Sequence, residues 1–364
     1  MRGHVIDPSP TPQGAAAPAT NVTRAGDVRA MAARRRRRLL GLAAVLALLV
    51  VACLLSVAVG AKQIPLDNVW HALFQPTGTE DDVVVRSLRL PRTLLGLVAG
   101  IALGVAGALM QGHTRNPLAD PGLLGVTYGA AFTVVLGIYA LGVTSLYGYV
   151  WFGFVGALLA SVGVFLLGSV GRGGPTPVTL ALAGAAMSNL LYALTAVVVL
   201  LDSQALDVYR FWKVGAIAGR DPDLVVQVLP FLVVGLVVAL ANAPGMNALA
   251  LGEDVARSLG HRVGLTRGLG IAAITLLTGA TVAVCGPIGF IGLVVPHVAR
   301  LVVGADYRWI LPYSGLLGAT LLLLADVAGR VVARPGELQV GIMLAVVGVP
   351  FFIVMVRRRK LVRL

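Results

Sequence analysis

The sequence predicts an all-α, polytopic membrane protein with about ten transmembrane helices. Hydrophobic residues make up 57% of the 364 and charged residues only 12%, against roughly 25% charged in a soluble domain. The apolar residues fall into ten runs, most close to the ~20 residues that carry a helix across a bilayer. The net charge of +13 is gathered at the two ends: residues 1–38 hold eight Arg and two Asp, and residues 357–364 hold four Arg and one Lys. Basic ends on an apolar body argue against a nucleic-acid surface. They fit cytoplasmic anchors beside anionic lipid headgroups.

Taken in order, residues 1–33 are rich in Ala, Pro, Thr and Gly. With Arg34–Arg38 they read as a disordered basic cytoplasmic tail, 1–38. The run Leu39–Ala61 exceeds the ~7–15 apolar residues of a signal peptide core, so it predicts an uncleaved first helix and opens a transmembrane domain over 39–356. Residues 62–92 are polar enough to lie outside. The second span, Thr93–Gln111, carries Gly96, Gly100 and Gly104, a four-residue spacing that lets helix backbones approach closely in lipid. A tight turn with Asn116, Pro117 and Pro121 leads to a third span, Gly122–Leu141, and a fourth, Val150–Val170. After the inside turn Gly171–Pro175, the fifth span, Val178–Leu201, places Ser188 and Asn189 at mid-membrane.

Residues 202–223 read as outside, and Leu224–Ala241 as the sixth span. The inside segment 242–267 fits one short amphipathic helix, with Val255 and Leu259 one turn apart among Glu253, Asp254 and Arg257. Such a helix either lies on the lipid surface or docks a partner. The seventh span, Leu269–Cys285, runs into Gly286–Arg300, an apolar stretch broken by Pro287, Pro296, Gly286, Gly289 and Gly292. A proline removes a helical hydrogen bond, and irregular backbone at membrane depth needs protein or a water-lined cavity to satisfy it. His297 and Arg300, three apart, share a face if this end is helical. The stretch is therefore either a moving, solute-lining element or a kinked bundle helix. Ile310–Val327 forms the ninth span, with Asp326 and Arg330 one turn apart, and Leu338–Val356 the tenth, before the basic tail 357–364. Ten spans close the count with both termini inside. Proline-interrupted turns after the second and seventh spans suggest an inverted repeat of helices 2–5 and 7–10, because an offset of five reverses direction.

The missing motifs narrow the function. A phosphate-binding loop needs G-x-x-x-x-G-K-[ST], and none of the three lysines, Lys62, Lys213 and Lys360, follows a glycine. An ATP-driven role would need separate ATPase subunits. The spans hold almost no ionisable residues, which disfavours ion-coupled transport. Cys53 and Cys285 lie in apolar runs and read as free thiols, and no metal-ligand spacing occurs. Seven arginines, 86, 89, 92, 210, 220, 330 and 334, fall on the outer side. They either meet headgroups and Asp202, Asp207 and Asp221, or form an electropositive mouth.

From Lys62 to the carboxyl tail the chain resembles the FecCD family, the permeases of binding-protein-dependent ABC importers for iron chelates and cobalamin. The motifs are Arg89-Leu90-Pro91-Arg92; Gln111 through Arg115-Asn116-Pro117-Leu118-Ala119 to Pro121; Gly252-Glu253 with Ala256 and Leu259-Gly260; Gly286 through Pro296-His297 to Arg300; Asp326 with Arg330; Glu337 with Gly341; and Gly348-Val349-Pro350-Phe351-Phe352. One departure is Gln339, where the family often has proline. The resemblance implies a cobalamin-permease-like fold in a bacterial cytoplasmic membrane, dimeric with a second copy or a related permease, importing a ferric siderophore or another iron chelate. Cobalamin or haem is the alternative cargo. It implies two ATPase subunits, which hold the ATP and magnesium, docked on Gly252, Glu253, Ala256, Arg257, Leu259 and Gly260. It implies an extracytoplasmic substrate-binding protein docked on Arg89, Arg92 and Arg330. Gln111, Asn116, Pro117, Gly173, Pro175, Gly286, Pro287, Gly289, Pro296 and His297 are expected along the pathway or its gate. No cofactor and no bond-making chemistry are expected of this chain itself.

Overall fold

A computed structural model describes residues 22–143, 145–170 and 176–357, and no strand occurs among them. The helices are α1 (Val22–Ala58), α2 (Leu66–Phe74), α3 (Glu80–Val83), α4 (Leu90–Thr114), α5 (Val126–Leu141), α6 (Leu146–Ser169), α7 (Pro177–Leu201), α8 (Ser203–Trp212), α9 (Pro222–Ala241), α10 (Ala243–Ala250), α11 (Glu253–Ser258), α12 (Val263–Cys285), α13 (Ile291–Val303), α14 (Tyr307–Val332) and α15 (Val340–Arg357). Among the described residues seven apolar helices are long enough to cross a membrane, and the shorter α5, α13 and α15 bring the apolar set to the expected ten.

Several boundaries differ from the sequence expectation. The chain divides into the units Met1–Leu40 and Gly41–Leu364. Residues 22–38 of the first unit, expected to be disordered, are helical, since Ala and Arg are strong helix formers. The segment 62–92, expected outside, contains α2, α3 and a π-helical turn, Val84–Arg89, that runs directly into α4. The 242–267 segment holds two short helices rather than one, and α12 begins six residues earlier than expected, at Val263.

In the second unit, α4 and α12 are the buried centre. Each has 78% of its most apolar window covered, against 17% for α7. Small residues bring α4 onto α14: a Cβ on Gly100 would overlap the backbone of Ala319, and one on Gly104 the carbonyl of Ser314. The packing is doubled. In one half α5 meets α6 and α6 meets α7; in the other α13 meets α14 and α14 meets α15. Likewise α4 crosses over to α13 and α14, while α12 crosses over to α5 and α6. Each contact has its partner five spans away, which is the pairing an inverted repeat requires.

Both halves carry a break at the same place. After α4 comes a turn and a 3₁₀ segment, Pro121–Leu124; after α12 comes an irregular stretch, 286–290. The only two non-glycine residues with positive φ among those described lie at these breaks: Arg115 at 49° and Phe290 at 67°. Thirteen-residue α13 spans only about 20 Å at 1.5 Å per residue.

Candidate functional site

Four features converge on the two ends and the middle of the bundle. At the end where α1 stops and α4 begins, arginines cap α1. Arg89 Nη1 donates to the carbonyls of Val57 at 3.0 Å and Ala58 at 2.7 Å, and Nη2 to Lys62 O at 2.6 Å. Arg330 Nη1 donates to Ser56 O and Val59 O, both at 2.8 Å, and Arg334 Nη2 to Gly60 O at 2.9 Å. Guanidinium groups thus satisfy the carbonyls that a helix leaves unpaired at its C-terminus and complement its dipole. Arg89 is 4% exposed and Arg330 1%. Their donors turn inward to α1, while both side chains also help line the cavity at this end.

Asp326, 1% exposed, binds Arg92 through both oxygens (3.0 and 2.7 Å) and Arg330 Nη2 at 2.9 Å. Arg92 also reaches Glu337 at 2.6 Å. A cavity of about 340 Å³ opens here between α4, the 217–220 loop and Glu337. Arg220 lines it with its Nε buried and without a hydrogen-bond partner. Burial holds the Arg220 pKa below its ordinary value, yet an arginine remains cationic in proteins. At the rim Lys62 pairs with Asp81 at 3.0 Å and Glu80 at 3.1 Å, and the hydrogen bond to Asp81 leads in raising its pKa. Of the expected acid partners, Asp207 takes Arg210 at 3.2 Å; Asp202 and Asp221 cap α8 and α9 instead.

Deeper in, the two breaks meet. Asp120 and Pro121 of the first lie against Gly292, beside Pro287, Ile288 and Gly289 of the second, around a cavity of about 80 Å³. Gly286, Pro296, His297 and Gln111 are buried, whereas Gly289 and Asn116 are exposed and Pro287 and Pro117 half-buried. So, among the described pathway residues, only the last four reach open space. Gly173 and Pro175 lie outside the described residues. Between α5 and α7 runs a wider groove, about 580 Å³, lined by Asp120, Tyr128, Ser188, Asn189 and Tyr192 among others. Asn189 makes only a local bond, to Ala185 O at 2.9 Å.

At the opposite end, α11 sits on the bundle through two contacts. Ala256, 1% exposed, packs with Ala248, Leu249 and Val263, and Glu253 forms an ion pair with Arg267 of α12. Glu253 also meets Arg257 at 3.2 Å, and Arg257 meets Asp254 at 3.1 Å. Gly252 at φ 118° starts the helix and Gly260 at φ 81° ends it. Leu251, Val255 and Leu259 are left 65%, 44% and 60% exposed. That is an apolar face edged by charge, and it points away from the chain's own core. The segment is tied inward by Arg115 Nη2 to Leu249 O at 2.8 Å and by Asn242 Nδ2 to Thr266 O at 2.9 Å. Arg267, and Arg115, which the sequence showed only as part of a motif, are the residues here given no role from the sequence. Each is a lone cation near a helix end, with nothing in its spacing to name its partner.

The FecCD transport family model matches residues 48–358. The chain belongs to that family. Relatives agree over nearly the full length. The ferric enterobactin transport system permease protein of Escherichia coli is 46% identical over 323 residues, which cover 88% of this chain and 96% of that protein. The iron(3+)-hydroxamate import system permease protein of Bacillus subtilis is 42% identical over 317 residues, 86% of this chain and 82% of that protein. In structure, a transporter described as of the metal-chelate ABC type, in an inward-facing conformation, superposes with a TM-score of 0.76 at 30% identity, covering 87% of this chain and 98% of that one. Family and fold together make this a multi-pass transport permease.

Proposed function

We propose that this chain is the membrane-spanning subunit of an ABC importer for a ferric chelate, driven by ATP hydrolysed on separate subunits in a bacterial cytoplasmic membrane. One observation carries the reading: near-complete coverage of the ferric enterobactin permease at 46% identity. The chain has no phosphate-binding loop of its own, so nucleotide chemistry belongs to partners. Its work is to change access from one side to the other.

The four features then take distinct roles. The exposed Leu251–Val255–Leu259 face receives an ATPase, while Glu253 and Arg267 hold that face in place. With α11 and both termini cytoplasmic, the arginine end is the outer mouth. There the substrate-binding protein docks, and Arg220 lines the cavity with its Nε buried and unbonded. The α7 face carries Ser188, Asn189 and Tyr192 yet is among the least covered. Polar groups at membrane depth are costly against lipid. A second permease copy, or a related permease, covers this face and leaves a polar path between the two.

Proteoliposomes holding the permease with its ATPase and binding protein test the cargo. Uptake of radiolabelled iron is expected from a ferric catecholate, hydroxamate or citrate, with unlabelled haem and cobalamin failing to compete. Transport of cobalamin or haem in preference to every ferric chelate would overturn the substrate assignment.

A further inference from the structure

Helix α13 has a defect in its first turns that α4 repairs. Pro296 sits inside the helix, and its missing N–H deprives the carbonyl four residues earlier, Gly292, of its helical donor. A buried carbonyl without a donor costs its full desolvation, and lipid offers nothing in exchange. Gln111 of α4 supplies the donor from outside the helix. Its Nε2 lies 3.2 Å from Gly292 O and 3.0 Å from Leu293 O. The side chain is wholly buried.

Two further contacts make this a built arrangement. One turn back along α4, a Cβ on Gly107 would overlap the backbone of Gly292, so the two helices touch main chain to main chain. That approach brings Gln111, on the same face of α4, to the broken turn. The other face of the amide is also held: Gln111 Oε1 accepts from Arg300 Nη1, two turns further along α13. Because a guanidinium can only donate, Arg300 fixes the amide with its NH₂ toward the carbonyls. Three residues of the family motifs, Gln111, Pro296 and Arg300, therefore form one device.

We infer that Gln111 is the positioning residue of the broken segment, standing in for the N–H that Pro296 lacks and binding α13 to the end of α4. Resting on the importer reading, this makes α4 a connecting rod. Arg115 ties the same end of α4 to Leu249 in the segment carrying α11, so displacement there reaches α13 and the stretch 286–290 through Gln111.

The test uses thiol labelling of a single cysteine placed at Ile288, which is buried at 8% exposure in the broken stretch. Cys53 and Cys285 are replaced by Ala in the full permease–ATPase complex. Gln111→Leu should raise the labelling rate of Ile288→Cys at least tenfold. Adding Pro296→Ala, which returns an N–H to the helix, should bring the rate back to within twofold of the parent. Gln111→Glu keeps the volume and the acceptor for Arg300 but loses the NH₂ donor, so it should behave as Gln111→Leu does; it decides the matter if the leucine variant does not fold. A parent-like rate in Gln111→Glu, or a double variant as reactive as Gln111→Leu alone, would overturn the proposal. The labelling needs neither nucleotide nor cargo. Failure of the importer reading would instead appear as absent ATP-dependent uptake with the labelling pattern intact.

Discussion

Asp326 is nearly inaccessible and holds two guanidinium groups, Arg92 and Arg330, that have no other carboxylate within the buried cluster. Removing one partner from a buried pair leaves an uncompensated charge, at a cost of about 3–5 kcal/mol. Asp326→Ala should therefore lower the thermal midpoint of the purified permease sharply, whereas Glu337→Ala, at the half-exposed edge of the same network, should change it little. A thermal melt in detergent compares the two directly. Arg220 differs, since among the described residues no carboxylate ion pair holds it and its Nε is buried without a hydrogen-bond partner. Arg220→Glu should leave the melt unchanged and weaken binding-protein docking most at low salt, where ionic attraction is least screened. Docking unaffected at low salt would return Arg220 to a headgroup anchor. Motif positions were plain in the sequence at this scale, but their roles were not. Arg89 and Arg330 stand in a pattern that suggests an outer binding face, and only the path of the chain shows that α1 ends beneath them. A sequence places a cation; the fold decides which carbonyl or carboxylate it meets.

Among the elements, the glycine spacing of α4 was the most legible signal. It predicted close backbone approach, and Gly100 and Gly104 meet α14 without room for a Cβ. Gly104→Val should destabilise the bundle by about 1–3 kcal/mol through overpacking, read as a lower midpoint and reduced recovery from the membrane. The amphipathic segment 252–261 was legible as a surface helix, but lipid contact and partner docking stayed equal alternatives. In the fold Glu253 and Arg267 pin the helix while Leu251, Val255 and Leu259 stay exposed, a face that the proposed ATPase would cover. Leu259→Asp should abolish co-purification of the ATPase while leaving the permease melt within a degree or two of the parent. Helix ends were less legible than helix centres. At α12 the polar residues Thr266 and Arg267 read as loop, yet they are buried and bonded within the helix-bearing unit.

Over the whole molecule, the doubled packing assigns one break to each half and brings both to the centre. There Gly292 rests on Asp120 and Pro121. Span count and the offset of five were readable from apolar runs and prolines. That the two breaks touch was not, because the contact joins residues some 170 positions apart. In the proposed importer both breaks are driven from one end, through α11, and cargo enters at the other. ATP-dependent uptake in proteoliposomes is the most direct check of that account. With ATP inside, uptake of a ferric chelate should require permease, ATPase and loaded binding protein together, and Leu259→Asp should reduce it to background. Uptake at the same rate without the ATPase subunits would contradict it.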